Sequence, residues 1–138
     1  MTVGELSART GVPVKTLREY ADTGLVYTAG RSPSNYRLFD EDALWCVQWI
    51  GNLRSLGLTV AEIRDLAAVY SEHADQPKGP HLAQRLTVAR NRLDARITEL
   101  QRMRDRIDEF TSAHRAELAG DACVGWLDGD PRRRRASA

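Results

Sequence analysis

A chain of 138 residues, 42% of them hydrophobic and with a formal net charge of +1, has the composition of one folded domain or of a domain with an extension, and excludes a disordered or membranous polypeptide. Its two cysteines, Cys46 and Cys123, are too few for a disulfide framework. No apolar run approaches the ~18 residues of a spanning helix, and MTVGELSART lacks the basic and apolar regions of a signal peptide, so the expected compartment is the cytoplasm, with no membrane partner.

In chain order, Thr2 with Glu5 three residues on has capping-box spacing and predicts a short helix over 3–9. Gly11 supplies a left-handed stop. Val12-Pro13-Val14 then opens a second helix carrying Thr16, Leu17 and Tyr20 and ending at Gly24, so the pair reads as a helix-turn-helix. Two short extended segments follow around Ala29-Gly30-Arg31-Ser32-Pro33-Ser34-Asn35, a wing-like hairpin in which Asn35 suits a positive φ.

Asp40 caps a helix over 41–56 with Ala43, Leu44, Val47, Ile50 and Leu53 on its apolar stripe, stopped by Gly57. Thr59 and Glu62 repeat the capping-box spacing before the next helix, which carries Ile63, Leu66 and Tyr70. The run SEHADQPKGP is a linker by composition. Beyond Pro80 a helical pattern free of Gly and Pro runs to Glu117, with Leu86, Leu93, Leu100 and Ile107 seven apart and Leu82, Ala89, Met103 and Phe110 at the other seam position. Arg96 interrupts the seam and Ile97 partly restores it. A helix of about 37 residues is ~55 Å long and outreaches the front domain, so its stripe is expected to be buried against a second copy. The predicted boundaries are 1–72 for the front domain, 73–80 for the linker, 81–118 for the long helix, 119–127 for a loop after it and 128–138 for a disordered tail.

Charge is unevenly spread. Residues 9–37 hold Arg9, Lys15, Arg18, Arg31 and Arg37 against Glu19 and Asp22, a basic stretch inside a front segment, 1–75, that has 7 basic and 10 acidic side chains. Enzyme chemistry has no footing: His73, His81 and His114 are scattered, no serine or cysteine sits in a nucleophile motif, and the glycines match no phosphate-binding loop. Double-stranded DNA fits better. The second helix of a helix-turn-helix enters the major groove, and Lys15, Thr16, Arg18 and Tyr20 lie on it, while Arg31, Tyr36 and Arg37 flank the wing for phosphate and sugar contacts.

The ordered set Val3-Gly4-Glu5-Leu6-Ser7, Arg9-Thr10-Gly11-Val12, Lys15-Thr16-Leu17-Arg18, Gly24-Leu25, Arg31, Asn35-Tyr36-Arg37, Phe39-Asp40, Leu53-Arg54-Ser55-Leu56-Gly57-Leu58 and Glu62-Ile63 resembles the MerR family of bacterial transcription regulators over residues 1 to about 70. The resemblance implies a mainly α fold: a winged helix-turn-helix, a second helix-turn-helix pair, and a long dimerisation helix in an antiparallel coiled coil. It implies DNA contacts from Lys15, Thr16, Arg18, Tyr20, Arg31, Tyr36, Arg37 and Arg54, and a dimer seam of Leu86, Leu93, Leu100, Met103, Ile107 and Phe110. It further implies a homodimer on a pseudo-palindromic promoter, bending and untwisting it for RNA polymerase in response to an effector. The chain departs from the family pattern at Glu19, Ala21 and Asn35; Glu19 beside phosphate calls for a cation such as Arg18.

The effector class stays open. Metal sensors of the family place soft ligands at the start of the dimerisation helix and in the loop after it, where this chain has His81, His114 and Cys123, a set suited to zinc or a similar metal. Thr111, Ser112 and Ala113 stand where a second cysteine would be expected. Cys46 reads as a small packing residue. An organic ligand would find walls in Trp45, Trp49, Tyr70 or Trp126. The alternative is an architectural or coiled-coil DNA-binding protein with no effector.

Overall fold

A computed structural model describes residues 1–120 and 130–136. The elements are α1 (Val3–Thr10), α2 (Val14–Asp22), β1 (Gly30–Arg31), β2 (Arg37–Leu38), α3 (Glu41–Ser55), α4 (Val60–Glu72), α5 (Gly79–Ala113), α6 (Arg115–Leu118) and α7 (Pro131–Ala136). Two compact units divide within α5, Met1–Asn91 and Arg92–Ala138.

The first unit is built on one core. Leu6 of α1, Leu17 of α2, Val26, Phe39, Ile50 of α3, Leu58, and Ile63 and Leu66 of α4 are all buried. Helices α1 and α2 each present one such anchor, too few for an isolated helix of eight or nine residues, so tertiary packing holds them. The predicted caps are present. Thr2 and Glu5 form a reciprocal capping box, as do Thr59 and Glu62, and the Asp40 carboxylate accepts the Ala43 N–H at 3.2 Å. Gly11, at φ 74°, turns α1 out toward α2 through a conformation that costs glycine least.

The wing is a two-strand antiparallel ribbon with Gly30 opposite Leu38 and Arg31 opposite Arg37. Asn35 takes a positive φ of 67°, as its side chain allows. The ribbon is anchored at its end rather than by length: the Met1 amino group donates to the Phe39 carbonyl at 2.6 Å, and the Phe39 N–H returns a bond to the Met1 carbonyl at 2.7 Å. The Phe39 ring, 2% exposed, then drops into the core.

Three expectations need correction. The long helix starts at Gly79, two residues inside the predicted linker, because a proline is well placed in a helical first turn. It stops at Ala113, where His114 takes a non-helical conformation, before a short α6. Pro131–Ala136, expected to be disordered, is a short helix: Asp130 accepts the Arg132 N–H at 2.9 Å and its Nε at 3.0 Å. Those Arg132 bonds, side chain first and backbone second, hold the Asp130 carboxyl below the usual range.

Along α5, Leu82, Leu86 and the buried Ala89 pack on the core of the first unit. In the second unit Leu93, Ile97, Leu100, Met103 and Ile107 of the same helix are exposed.

Phe39→Ala removes the core ring while keeping the backbone groups that bond Met1, and a buried phenylalanine truncation costs about 3–5 kcal/mol. Urea unfolding followed by circular dichroism should show a loss of that size; a loss below about 1 kcal/mol would place the ring outside the cooperative core.

Candidate nucleic-acid interface

Helix α2 owes its orientation to Leu17, which is fully buried. At 3.6 residues per turn that choice turns Lys15, Arg18, Glu19 and Asp22 outward, and all four are exposed. Thr16 and Tyr20 are half-buried, and the Tyr20 ring packs against the core. The Tyr20 carbonyl accepts from the N–H groups of Leu25 and Val26 at 2.9 and 3.2 Å, which clamps the end of the helix. Tyr20 thus holds α2 in place more than it reaches outward, unlike Lys15 and Arg18.

The wing tip is closed by its own hydrogen bonds. Ser32 N–H donates to the Tyr36 carbonyl at 2.8 Å, and Ser32 Oγ accepts the Tyr36 N–H at 3.1 Å. Tyr36 itself, 69% exposed, is left projecting from the tip. Arg31 lies directly across the ribbon from Arg37, a like-charge pairing that weakens a hairpin. Each guanidinium is held away from its twin: Arg31 donates to the Asn35 carbonyl at 3.0 Å, and Arg37 binds the Asp22 carboxylate and approaches the Arg18 carbonyl at 3.5 Å.

Asp22 is the residue that sequence reading missed. By composition it is only an opposing charge, yet it fastens the wing to α2 through Arg37. Its partner lies fifteen residues away on the wing, so no local spacing signals the pair. The expected Arg18–Glu19 pairing is not formed among the described residues. Arg18, Arg31, Arg37 and Tyr36 instead line one hollow of about 540 Å³ with Asp22 the only acid among the described residues on its wall. Three guanidiniums against one carboxylate in a cleft between helix and wing favour an anionic occupant, and forked donors fit phosphate.

Arg54 lies outside this group, exposed in the last turn of α3, where the helix carbonyls favour a cation. Of the expected seam residues, Leu86 is taken up by the first unit's core, whereas Leu93, Leu100, Met103 and Ile107 are exposed. Phe110 stacks on the His114 ring at 4.2 Å, and His114 Nδ1 lies 3.0 Å from the Phe110 carbonyl. His81 is half-buried in the first turn of α5, and Cys123 and Trp126 lie outside the described residues. Among the described residues no three potential metal ligands converge, and no helix is long and apolar enough to cross a membrane.

Comparison with known proteins agrees with this architecture. Residues 1–69 match the profile described as MerR HTH family regulatory protein, and residues 44–110 the one described as MerR, DNA binding. The nodulation protein NolA of Bradyrhizobium elkanii is 29% identical over 126 residues, 91% of this chain and 53% of that protein. The chain spans about half the length of the first curated relatives it matches. The regulator HmrR of Rhizobium leguminosarum bv. viciae is 31% identical over 116 residues, 82% of this chain and 85% of HmrR. Among solved structures, PbrR691 of Ralstonia metallidurans in complex with lead(II) superposes with a TM-score of 0.61 at 28% identity, covering 84% of this chain and 86% of that one. With a family profile over all of α1 to α4 save the last turn, and HmrR matched along most of its length, the chain belongs to the MerR family of helix-turn-helix transcription regulators.

Proposed function

We propose that the chain acts in the cytoplasm as a homodimer that binds a pseudo-palindromic promoter, sequence-specifically, and bends and untwists it for RNA polymerase in response to an effector. The arginine-lined cleft between α2 and the wing carries this reading. Lys15 and Arg18 on the outer face of α2 meet base edges and phosphates in the major groove, Thr16 supports them, and Arg31 and Tyr36 follow the neighbouring backbone. Arg37 fixes the angle between wing and helix through Asp22 while its charge still faces the phosphates. Arg54 adds a phosphate contact from the second helix pair.

The dimer rests on α5. Leu93, Ile97, Leu100, Met103 and Ile107 recur at coiled-coil spacing and are exposed in the single chain, with Ile107 60% exposed. An antiparallel pairing of two such helices buries the stripe and sets two DNA-binding lobes at a defined separation. Deforming a site of 20–30 base pairs costs about 1–6 kcal/mol, so a modest change in that separation shifts promoter geometry without releasing the DNA. An effector-free architectural role is the competing reading. Transcription in vitro from a promoter with an over-long spacer separates the two, since only the regulator raises transcript yield.

A metal effector is a second reading, favoured by the likeness to the lead(II) complex of PbrR691. Its donors on this chain would be His81, His114 and Cys123. His114 is engaged with Phe110, and among the described residues of one chain no three potential ligands converge.

On DNA selected by the protein from a random pool, Arg18→Ala should weaken binding by roughly 1–3 kcal/mol, and Arg31→Ala should lower the salt slope by about 1, circular dichroism staying native. Unchanged affinity and slope in both would remove the cleft from the interface. Leu100→Lys combined with Ile107→Lys should convert a sedimenting dimer to a monomer and abolish tight operator binding; an unaltered mass would refute the seam. Zinc titrated into the reduced protein should bind more weakly to Cys123→Ser, and identical stoichiometry and affinity would exclude Cys123 as a ligand.

A further inference from the structure

A second hollow, of about 590 Å³, lies within the first unit between the end of α2, the outer faces of α3 and α4, and the residues leading into α5. That volume is in the range of sites for small organic ligands. Its wall is aromatic. Trp45 and Trp49, one turn apart on α3, stack with centroids 6.1 Å apart and planes 12° from parallel, and Trp49 meets Tyr70 of α4 at 6.2 Å and 49°. Trp45 is 62% exposed although its neighbours Cys46 and Val47 are buried, so a large flat face is offered to whatever enters. Two cations line the same hollow, Arg64 on α4 and Lys78 just before α5, and among the described residues no Asp or Glu does. Among the described residues neither cation is ion-paired; the Lys78 ammonium lies over the Tyr70 ring, 5.5 Å from its centroid.

An apolar ring surface edged by two uncompensated positive charges is complementary to a flat apolar body bearing one negative charge. A neutral hydrocarbon leaves the cations unused, and an aliphatic acid leaves the ring faces unused. We propose that this hollow is a binding site for a planar aromatic acid, its ring against Trp45 and Trp49 and its carboxylate between Arg64 and Lys78.

Binding there is non-covalent. Cys46 lines the hollow, but burial pushes its thiol up and the nearby Asp42 and Asp40 add to the shift against a backbone hydrogen bond from Tyr27, so the sulfur stays protonated at neutral pH and is a poor nucleophile. The location also gives the ligand leverage. Thr23 and Gly24, which follow the recognition helix, line the hollow, and Tyr70 Oη donates to the Lys78 carbonyl at 3.2 Å, tying the last turn of α4 to the entry of α5. A bound ring touches both ends of that path. Its role as effector rests on the regulator reading above, whereas the binding itself does not.

Calorimetric titration of the full chain with 2-naphthoate, 2-naphthamide and cyclohexanecarboxylate tests the site in the absence of DNA. Saturable binding is expected for naphthoate, roughly tenfold or more tighter than for the amide or the aliphatic acid. Arg64→Gln with Lys78→Gln should erase the preference for the acid over the amide. Ala68→Trp, at an exposed position on the rim, should fill the hollow and abolish binding with the circular dichroism spectrum unchanged, and Trp45→Ala, whose ring is mostly outside the core, gives an independent loss. No saturable heat, as when a second copy covers the hollow, overturns the proposal, as does equal affinity for acid and amide or undiminished binding in Ala68→Trp. Footprinting of promoter DNA with and without naphthoate then tests the effector role separately: an unchanged footprint alongside retained binding removes that role and keeps the site.

Discussion

The packing of Phe39 is the constraint on which the DNA-binding unit depends. Its ring is buried among the helices, while its backbone exchanges two hydrogen bonds with Met1. A ribbon of two-residue strands has almost no ladder of its own and is marginal without a core to lean on. Phe39 supplies that core contact and leads directly into Asp40, the cap of α3. Wing, α1 and α3 are thereby indexed to one another by a single residue and its neighbours.

Given that index, electrostatics shapes the cleft. Three arginines brought to one face repel each other, and the pairing of Arg31 opposite Arg37 would by itself weaken the ribbon. One acid, Asp22, offsets part of this and fixes the wing against α2. The exposed ion pair contributes little to global stability; its effect is geometric. Full neutralisation would leave an electrostatically blank surface, so on the proposed reading the residual positive charge is what draws DNA to the cleft.

Helix α5 serves two environments with one pattern. Leu82, Leu86 and Ala89 meet the first unit's core, and from Leu93 onward the same seven-residue spacing is exposed. Burying a leucine contributes about 1.5–3 kcal/mol, so a stripe of five large apolar side chains left in water is a strong bias toward association. On the proposed reading, the division within α5 is the point where intramolecular packing gives way to a seam between copies.

Much of this was legible in the chain. Caps and stops announced themselves locally: Thr2 with Glu5, Asp40, Thr59 with Glu62, Gly11 and Asn35 each satisfy a backbone requirement that involves only near neighbours. Apolar spacing located the helices and the long stripe for the same reason, and the basic stretch around Arg18, Arg31 and Arg37 was visible as charge density. Contacts between distant segments were not. That Tyr20 turns inward, that Asp22 clasps Arg37, that Leu86 belongs to the core, and that Trp45, Trp49, Tyr70, Arg64 and Lys78 enclose one hollow follow from how the helices pack, and no local periodicity encodes it. Sequence by itself determined the helices from α1 to α5 and which of their faces are apolar or basic, because hydrogen-bond capping and hydrophobic period act over a few residues. Only the tertiary structure decided which basic side chains share a cleft and which aromatic rings share a cavity, because those neighbours are set by core packing across dozens of residues.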